Sequence, residues 1–532
     1  MAIDYYKYGK YISYNQESRW ATVDEIKSAS SHIDLSAEKY GAAGLPLMSN
    51  GREAYVDDKD THTLIFGATG SKKTRLFCMP LINIFAKAGE SFIVTDPKGE
   101  LYQKSSGLVE ANGYKTVVLN FRDIGLGDMW NPLQLPYEFY HSDDRETGMS
   151  MLNDFISAIS GPQRSSTGDI FWTEMASSFA LANLLLLMEA GKPNEINISS
   201  LAGLCAMSNE KPLSELAAMM EADSIAGMNY RGVFVGAENT KRSIYISLYG
   251  MLRIFNTQEK LTKMLSGNTV DLRKIGREKT AVYLIVPDEK TTYHFLVTMF
   301  IKQVYEVLIA EAQKSKDFKL PVRVNFVLDE FCNMPKVPDM PSMISAARSR
   351  NMRYYLVAQS MHQLRGKYGD DADTIKGNCD NWVFLTSKEL DLLKEISDLC
   401  GSVTTSEKIT RKLISVSELQ RLNKEKGEAL IMHSRQYPII TEMADIDMYD
   451  DFKGFATVPL KPYSLPSYKI FSPTDFLVSV NSQRALCPFS RSWYDNNGVV
   501  GDGDASEFVD MVDDVFDDLF VDEFDDVDEF DD

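Results

Sequence analysis

Short apolar segments alternate with segments of helical periodicity between residues 63 and 120, and again from about residue 280. Apolar runs bounded by polar loops are typical of buried strands, and strands that alternate with helices form a parallel sheet covered on both faces. The pattern therefore predicts an α/β fold. The predicted strands are residues 63–66, 91–95, 115–120, 281–286, 322–328, 353–358 and 382–386.

The stretch between these two regions has a different pattern. Residues 135–277 consist mostly of helical periodicities, such as those at 170–190 and 212–220, with little strand signal. The most apolar part, 175–188, is shorter than the ~20 apolar residues that cross a bilayer, so we interpret it as a buried helix. The sequence thus predicts a sheet that is interrupted by an all-α domain and then resumed.

The loop after the first predicted strand carries the main candidate chemistry, because it is close to the phosphate-binding pattern G-x-x-x-x-G-K-S/T. In that pattern backbone N–H groups surround the phosphates, the lysine neutralises the terminal phosphates and the hydroxyl binds Mg²⁺. We predict nucleotide binding by this loop, with Lys73 as a catalytic cation and Thr74 as a magnesium ligand; the alternative is an ordinary strand-to-helix turn. The loop consists of Gly67, Ala68, Thr69, Gly70, Ser71, Lys72, Lys73 and Thr74.

One position of the loop departs from the pattern. Lys72 stands where the pattern has its second glycine. A side chain at this position either crowds the loop or, if the backbone angle is left-handed, costs roughly 1–3 kcal/mol. The sequence therefore leaves open whether a bound nucleotide is hydrolysed.

Two later strand ends supply further candidates. The strand at 322–328 ends in Asp329 and Glu330, which in a P-loop ATPase would hold Mg²⁺ and polarise the attacking water. Gln359 ends the next strand and is a candidate for sensing the terminal phosphate, while Arg348 and Arg350 are candidates for reaching the nucleotide of a neighbouring subunit. Polar strand ends and a solvated helix face are the alternative interpretations.

The net charge of −20 comes mostly from one end of the chain. Residues 502–532 contain 16 acidic residues and no lysine or arginine, which leaves only −4 on residues 1–501. Such a tail is predicted to be disordered on its own. Its apolar residues Phe508, Val512, Val515 and Leu519 recur at helical spacing. This pattern favours folding upon docking to a basic protein surface over a purely solubilising role.

Composition excludes several other classes of protein. The six cysteines form no C-x-x-C pair, so a disulfide framework or a zinc ribbon is not expected. Prolines and Asn-Gly or Gly-Asp-Gly clusters collect beyond about residue 446 and indicate an irregular extension. We divide the chain into an N-terminal segment without a membrane anchor (1–50), the nucleotide-binding domain (51–134 and 278–446), the all-α domain (135–277), the Pro-rich extension (447–501) and the acidic tail (502–532).

An ordered set of motifs resembles one family. The set comprises Ser18-Arg-Trp-Ala21, the stretch from His62 to Arg75, Asp96-Pro-Lys-Gly-Glu-Leu101, Asn131-Pro-Leu133, Val286-Pro287, Leu328-Asp-Glu-Phe331, Ala358-Gln-Ser360 and Gln363-Leu364. Together these motifs resemble the type IV coupling proteins, the ATPases of bacterial conjugation, over roughly residues 15–445.

The resemblance implies a RecA-like domain that uses ATP and Mg²⁺ and carries the all-α domain as an insertion. It also implies a homo-hexamer at the cytoplasmic face of the cell membrane, held there by a separate membrane partner. Such a protein recruits relaxase-bound single-stranded DNA and passes it to the type IV secretion channel proteins. Two alternatives stay open, a nucleotide-binding receptor that does not hydrolyse ATP and a duplex-DNA translocase of the same superfamily.

Overall fold

Most of the strands belong to one large sheet. The computed structural model describes residues 18–164, 170–206, 210–220, 224–233, 238–404, 410–433, 435–463 and 468–486. The strands are β1 (Ser31–Asp34), β2 (Leu45–Ser49), β3 (Glu53–Asp57), β4 (Thr63–Gly67), β5 (Ser91–Asp96), β6 (Lys115–Asn120), β7 (Thr280–Ile285), β8 (Val324–Leu328), β9 (Met352–Ala358), β10 (Asn381–Thr386), β11 (Ser402–Thr404), β12 (Thr410–Lys412), β13 (Glu428–Met432) and β14 (Ile439–Glu442).

Helices connect most of the sheet strands and fill the region between β6 and β7. They are α1 (Val23–Ala29), α2 (Met79–Ala88), α3 (Glu100–Ala111), α4 (Gln134–Tyr140), α5 (Arg145–Arg164), α6 (Ile170–Ala190), α7 (Ile198–Leu204), α8 (Glu210–Met219), α9 (Ile225–Val233), α10 (Glu238–Thr257), α11 (Glu259–Met264), α12 (His294–Gln313), α13 (Met340–Ala347), α14 (Met361–Tyr368), α15 (Asp371–Asn378), α16 (Leu390–Leu399), α17 (Val416–Leu419), α18 (Asp451–Gly454) and α19 (Pro473–Leu486).

The central sheet has nine strands in the order β14-β13-β10-β4-β9-β8-β5-β7-β6. The seven strands from β10 to β6 are parallel, whereas β13 and β14 pair antiparallel at one edge. Every residue of β4, β5, β8 and β9 is buried, as expected where helices cover both faces of a parallel sheet. All seven predicted strands are confirmed, and their carboxyl ends lie along one edge.

A small antiparallel sheet precedes the central one and was not predicted. Its strand order is β1-β3-β2, and β2 pairs with β3 directly across a tight turn. The boundary predicted at residue 50 falls inside this hairpin, between β2 and β3. Buried Leu47 and Val56 of the hairpin share a hydrophobic core with Ile82 and Phe85 of α2, so the hairpin packs on the nucleotide-binding domain.

Between β6 and β7 the regular structure of the described residues is helical. Helix α6 is long and apolar enough, by length and composition, to cross a membrane, and it is the one described helix with that property. Its residues from Leu184 to Met188 are fully buried, and α6 packs against α5, α9 and α10. In the structure this helix is therefore the core of a helical bundle.

The chain after α18 crosses the surface in an extended conformation. Residues 455–463 and 468–472, which we call the strap, contact α3, the loop after β6, and the helical region. The described residues up to 473 belong to one compact unit, and residues 474–486 belong to a second. The predicted acidic tail lies outside the described residues.

Candidate nucleotide-binding site

The loop of residues 67–74 turns tightly between β4 and the helix that follows. A Cβ atom on Gly67 would lie 2.4 Å from Ser71 Oγ and 2.9 Å from Lys73 Cγ, so only glycine allows this close return of the chain. Gly70 has a positive φ of 77°. The N–H of Ala68 donates to Thr386 O of the neighbouring strand β10 at 2.9 Å, which fixes the loop to the sheet.

Lys73 places its ammonium group at the centre of the loop. The side chain is 6% exposed, and Nζ donates to Gly67 O at 2.7 Å. The same Nζ lies 3.7 Å from Oε1 of Glu330, which follows β8. A buried cation beside the backbone N–H groups of a tight strand-to-helix turn is suited to phosphate binding. The hydroxyl of Ser71 is buried and has no partner among the residues described.

Thr74, at the end of the loop after β4, lies next to Asp329, which follows β8. Thr74 Oγ1 donates to Asp329 Oδ2 at 3.3 Å, and Thr95 Oγ1 donates to the backbone oxygen of Asp329 at 2.8 Å. Burial, and then the charge of Glu330, raise the pKa of Asp329 to about 6. A cation here would favour the ionised carboxylate.

These two oxygen donors fit Mg²⁺, which binds protein through one or two carboxylate or hydroxyl oxygens and completes its shell with phosphate and water. Within the described ranges there is no group of three or more His, Cys, Asp or Glu side chains that could hold a metal ion. The donor set therefore suits a metal that arrives with a nucleotide better than a permanently bound structural metal.

Two amide side chains hold the carboxylate of Glu330. Its Oε2 accepts from Gln359 Nε2 at 2.8 Å and from Asn333 Nδ2 at 3.0 Å. Gln359 Oε1 in turn accepts from Thr69 Oγ1 of the phosphate-binding loop at 3.3 Å. The predicted candidates Glu330 and Gln359 are thus brought together, but Asn333 was missed. Asn333 could have been found from its spacing of three residues from Glu330, because the single turn Phe331–Asn333 brings residue 333 back beside Glu330.

Lys72 adopts a left-handed conformation with φ of 66°. Its side chain does not crowd the loop, because Nζ points outward and contacts Glu425 Oε2 at 2.9 Å and Asp445 Oδ2 at 3.8 Å. Of the two effects expected for this position, the structure shows the backbone strain. No local sequence pattern indicates Glu425 or Asp445 as partners of Lys72, since both lie more than 350 positions further along the chain.

Residues 19–433 match the family model described as Type IV secretory system Conjugative DNA transfer, which covers well over half of the chain. The chain belongs to the type IV coupling protein family. The resemblance expected from the sequence motifs is therefore confirmed.

Curated relatives of this coupling protein share low sequence identity. The conjugal transfer protein TraG of Escherichia coli is 23% identical over 375 residues, which cover 66% of this chain and 56% of TraG. The protein VirD4 of Rhizobium radiobacter is 23% identical over 404 residues, which cover 73% of this chain and 55% of VirD4. The chain thus spans about half the length of the curated relatives it matches.

Solved structures of the plasmid coupling protein TrwB share the fold. The complex of TrwB with the non-hydrolysable ATP analogue ADPNP matches with a TM-score of 0.59 and 13% identity, over 86% of this chain and 98% of TrwB. The complex with ADP and Mg²⁺ matches with a TM-score of 0.57, over 87% and 97% of the two chains. The predicted RecA-like α/β fold is confirmed.

Two candidate residues of this coupling protein lie away from the other candidates. Arg348 and Arg350 form a single turn after α13, immediately before β9, and therefore lie at the amino-terminal edge of the sheet. The seven residues of β9 place them roughly 20 Å from the phosphate-binding loop. Arg348 binds Asp380 Oδ2 at 2.8 Å and Asp60 O at 2.9 Å. Their action on a neighbouring subunit's nucleotide stays a prediction.

Asp96 ends β5 at the same sheet edge as the phosphate-binding loop. Its Oδ2 accepts from the N–H of Tyr102 at 2.9 Å, which ties the strand end to the first turn of α3. Burial raises the pKa of Asp96 to about 6, against the opposing effect of the backbone N–H groups of residues 102, 101 and 99. The exposed Lys98 follows in the turn. The observed contact is that of a strand-to-helix turn.

Proposed function

We propose that this chain is an ATP-hydrolysing coupling protein that recruits relaxase-bound single-stranded DNA and drives its transfer into a type IV secretion channel during conjugation. The observation that carries the proposal is the convergence of Lys73, the Thr74 and Asp329 pair, and Glu330 at one sheet edge. Membership of the conjugative DNA-transfer family supports the process. The TrwB complexes with an ATP analogue and with ADP and Mg²⁺ support the ligand.

Each residue would have a separate role in ATP binding and hydrolysis. Lys73 would neutralise charge on the terminal phosphates, and Thr74 and Asp329 would hold the magnesium that accompanies ATP. Glu330, held by the two amides of Gln359 and Asn333, would orient a water molecule and take up its proton. Bound ATP and Mg²⁺ supply the phosphoanhydride bond and the charge compensation for its cleavage.

Replacement of the carboxylate tests the proposed chemistry. We expect Glu330→Gln to bind ATP as the wild type does but to lose hydrolysis, by roughly a hundredfold or more, because an amide cannot accept a proton from water. The measurements are the dissociation constant for a fluorescent ATP analogue and the steady-state rate of phosphate release. Normal turnover by this variant would show that Glu330 is not the general base.

A receptor that binds nucleotide without hydrolysing it is the second candidate, and the strained Lys72 is the observation that favours it. The two functions differ in a steady-state ATPase assay of the wild-type protein with added single-stranded DNA. DNA-stimulated phosphate release supports the motor, whereas nucleotide binding without release supports the receptor. Stimulation by duplex DNA alone would instead indicate a duplex translocase.

The proposal extends to assembly and partners. We infer a homo-hexamer at the cytoplasmic face of the membrane, in which Arg348 and Arg350 reach the neighbouring nucleotide, with attachment through a separate membrane partner.

The acidic tail, residues 502–532, would dock a basic surface on a relaxosome or channel protein. Deletion of residues 505–532 should weaken partner capture in a salt-sensitive way but preserve ATP binding. Equal capture by the truncated protein would contradict the docking role.

A further inference from the structure

A structured turn lies beside the phosphate-binding loop and presents a carboxylate to it. The turn comprises residues 423–427, immediately before β13. Oδ1 of Asn423 accepts from the N–H groups of Glu425 at 3.0 Å and Lys426 at 3.2 Å. The backbone oxygen of Gly427 accepts from the N–H of Met443 at 2.9 Å. These hydrogen bonds hold the backbone at Glu425 independently of its contact with Lys72.

The same turn packs on the helix that begins in the loop. Gly427 has φ of 70°, and a Cβ atom there would lie 2.4 Å from Met443 O and 3.4 Å from Leu76 Cδ2. Leu76 is a fully buried residue of the π-helical turn Thr74–Cys78 that follows the loop. The turn 423–427 thus sits at a fixed position relative to residues 72–76.

Two carboxylates surround the outward-pointing ammonium group of Lys72. Glu425 Oε2 is 2.9 Å from Nζ, and Asp445 Oδ2 is 3.8 Å away. Asp445 also accepts from Arg75 Nε at 3.1 Å, so residues 72 and 75 contact one common anion. The hydrogen bond and the charge of Lys72 lower the pKa of Glu425, as expected for the acidic partner of an ion pair.

The left-handed backbone conformation of Lys72 is strained, and the ion pair with Glu425 stabilises it. Glycine adopts φ near 66° without strain, whereas a lysine residue is strained there and favours returning to negative φ. Such a return would turn the N–H groups of the loop away from a phosphate. The ion pair with Glu425 is made with Lys72 in the left-handed conformation and therefore opposes that return.

We propose that Glu425 is a positioning residue for nucleotide binding, because its ion pair with Lys72 holds residues 67–74 in the phosphate-binding conformation that glycine provides in the standard loop. The inference rests on the proposed nucleotide-binding function. It implies that nucleotide affinity depends on a side chain that itself contacts no phosphate.

The test is a double-mutant cycle on the full chain, with a fluorescent ADP analogue and Mg²⁺ as the probe. We expect Glu425→Gln to weaken binding about two- to fivefold at low salt, the range of a largely exposed ion pair, and less at high salt. Lys72→Ala should weaken binding further, since it loses the ion pair and keeps the strain. Lys72→Gly should bind more tightly than Lys72→Ala, because the strain is removed together with the pair.

The decisive comparison is Glu425→Gln in the Lys72→Gly background, where we expect no further change in affinity. Glu442→Gln is the matched control, because Glu442 pairs with Lys426 at 4.0 Å nearby without contacting the loop. An equal effect of Glu425→Gln in both backgrounds, or none in the wild-type background, would overturn the inference. Failure of the wild-type protein to bind the probe would instead refute nucleotide binding itself.

Discussion

Glu330 has φ of 53°, a left-handed conformation that few residues other than glycine adopt. Non-glycine residues in this region cost of order 1–3 kcal/mol and persist where their surroundings hold them. Here the N–H of Glu330 donates to Asp329 Oδ1 at 3.0 Å, and two amides hold its carboxylate. This strained backbone conformation and these hydrogen bonds place the carboxylate 3.7 Å from the ammonium group of Lys73.

Asn333 is expected to position Glu330. Asn333→Ala removes the Nδ2 donor, so the carboxylate can rotate away from the attacking water. We expect kcat for ATP hydrolysis to fall by about ten- to a hundredfold with little change in KM, since misplacement of a catalytic group by about 1 Å has such effects. Asn378→Ala, which removes a half-buried asparagine whose Nδ2 donates only within α15, to Thr374 O at 2.9 Å, is the control. A fall in kcat of the same size in both variants would argue against a specific role for Asn333.

At the scale of single residues, the sequence predicted side chains that follow a motif but not those that arrive through tertiary contacts. Lys73, Thr74, Asp329, Glu330 and Gln359 end strands or start a helix, and parallel strands bring such ends to one edge. Glu425 reaches the loop only because the turn before β13 packs on Leu76. No local pattern in the sequence encodes that contact.

At the scale of elements, strands that are buried on both faces were the predictable ones. Strands β4 to β10 are short apolar runs, and that pattern identified all seven. Strands β1, β11, β12 and β14 escaped prediction because each has only three or four residues and none is a continuous buried run. Strands β2 and β13 are mostly buried but pair antiparallel, outside the alternation of strands and helices on which the prediction rested. Helix α13 ends at Ala347, so Arg348 and Arg350 lie in the single turn that follows and not on the face of an α-helix.

Asp96 at the end of β5 makes the protein's stability depend on pH. A carboxyl whose pKa rises on folding stabilises the folded state while it is protonated, and that contribution is lost as pH rises from about 4 through about 6. Asp96→Asn mimics the protonated form at every pH. We therefore expect this variant to be more stable than the wild type at about pH 8, by up to about 3 kcal/mol, and equally stable at about pH 4.

Urea denaturation of both proteins at several pH values measures this difference in the free energy of unfolding. Asp143→Asn, at an exposed position between α4 and α5, should behave as the wild type throughout. A stability difference for Asp96→Asn that does not change with pH would exclude the proton linkage.

At the scale of the whole molecule, the strap connects the two regions that the sequence separates. On the nucleotide-binding side, Val458 N donates to Ser106 Oγ at 3.0 Å and Tyr102 Oη donates to Val458 O at 2.9 Å. On the helical side, Lys469 N donates to Asn194 O at 2.9 Å and Phe471 N donates to Ser200 Oγ at 2.9 Å. The proline-rich composition of the strap predicted a segment without regular secondary structure. It did not predict these contacts, because the strap makes them through backbone N–H and C=O groups, which a pattern of side chains does not reveal.

The strap passes close to helix α3 at Gly107. A Cβ atom on Gly107 would lie 2.2 Å from Ala456 O and 3.0 Å from Phe455 Cβ. Gly107→Ala should therefore lift residues 455–458 from α3 and lower the free energy of unfolding by about 1–3 kcal/mol, although alanine favours helix more than glycine does. Hydrogen exchange should accelerate first at residues 455–463.

The matched control is Gly366→Ala in α14, where an added Cβ meets no atom within 4 Å. There the higher helix propensity of alanine acts alone, and we expect stability to rise by about 0.5–1 kcal/mol without a change in exchange at the strap. If Gly107→Ala also stabilises the protein and leaves exchange at 455–463 unchanged, then the strap does not depend on its close contact with α3. Faster exchange that extends to 468–471 would show that the strap detaches from both regions as one unit.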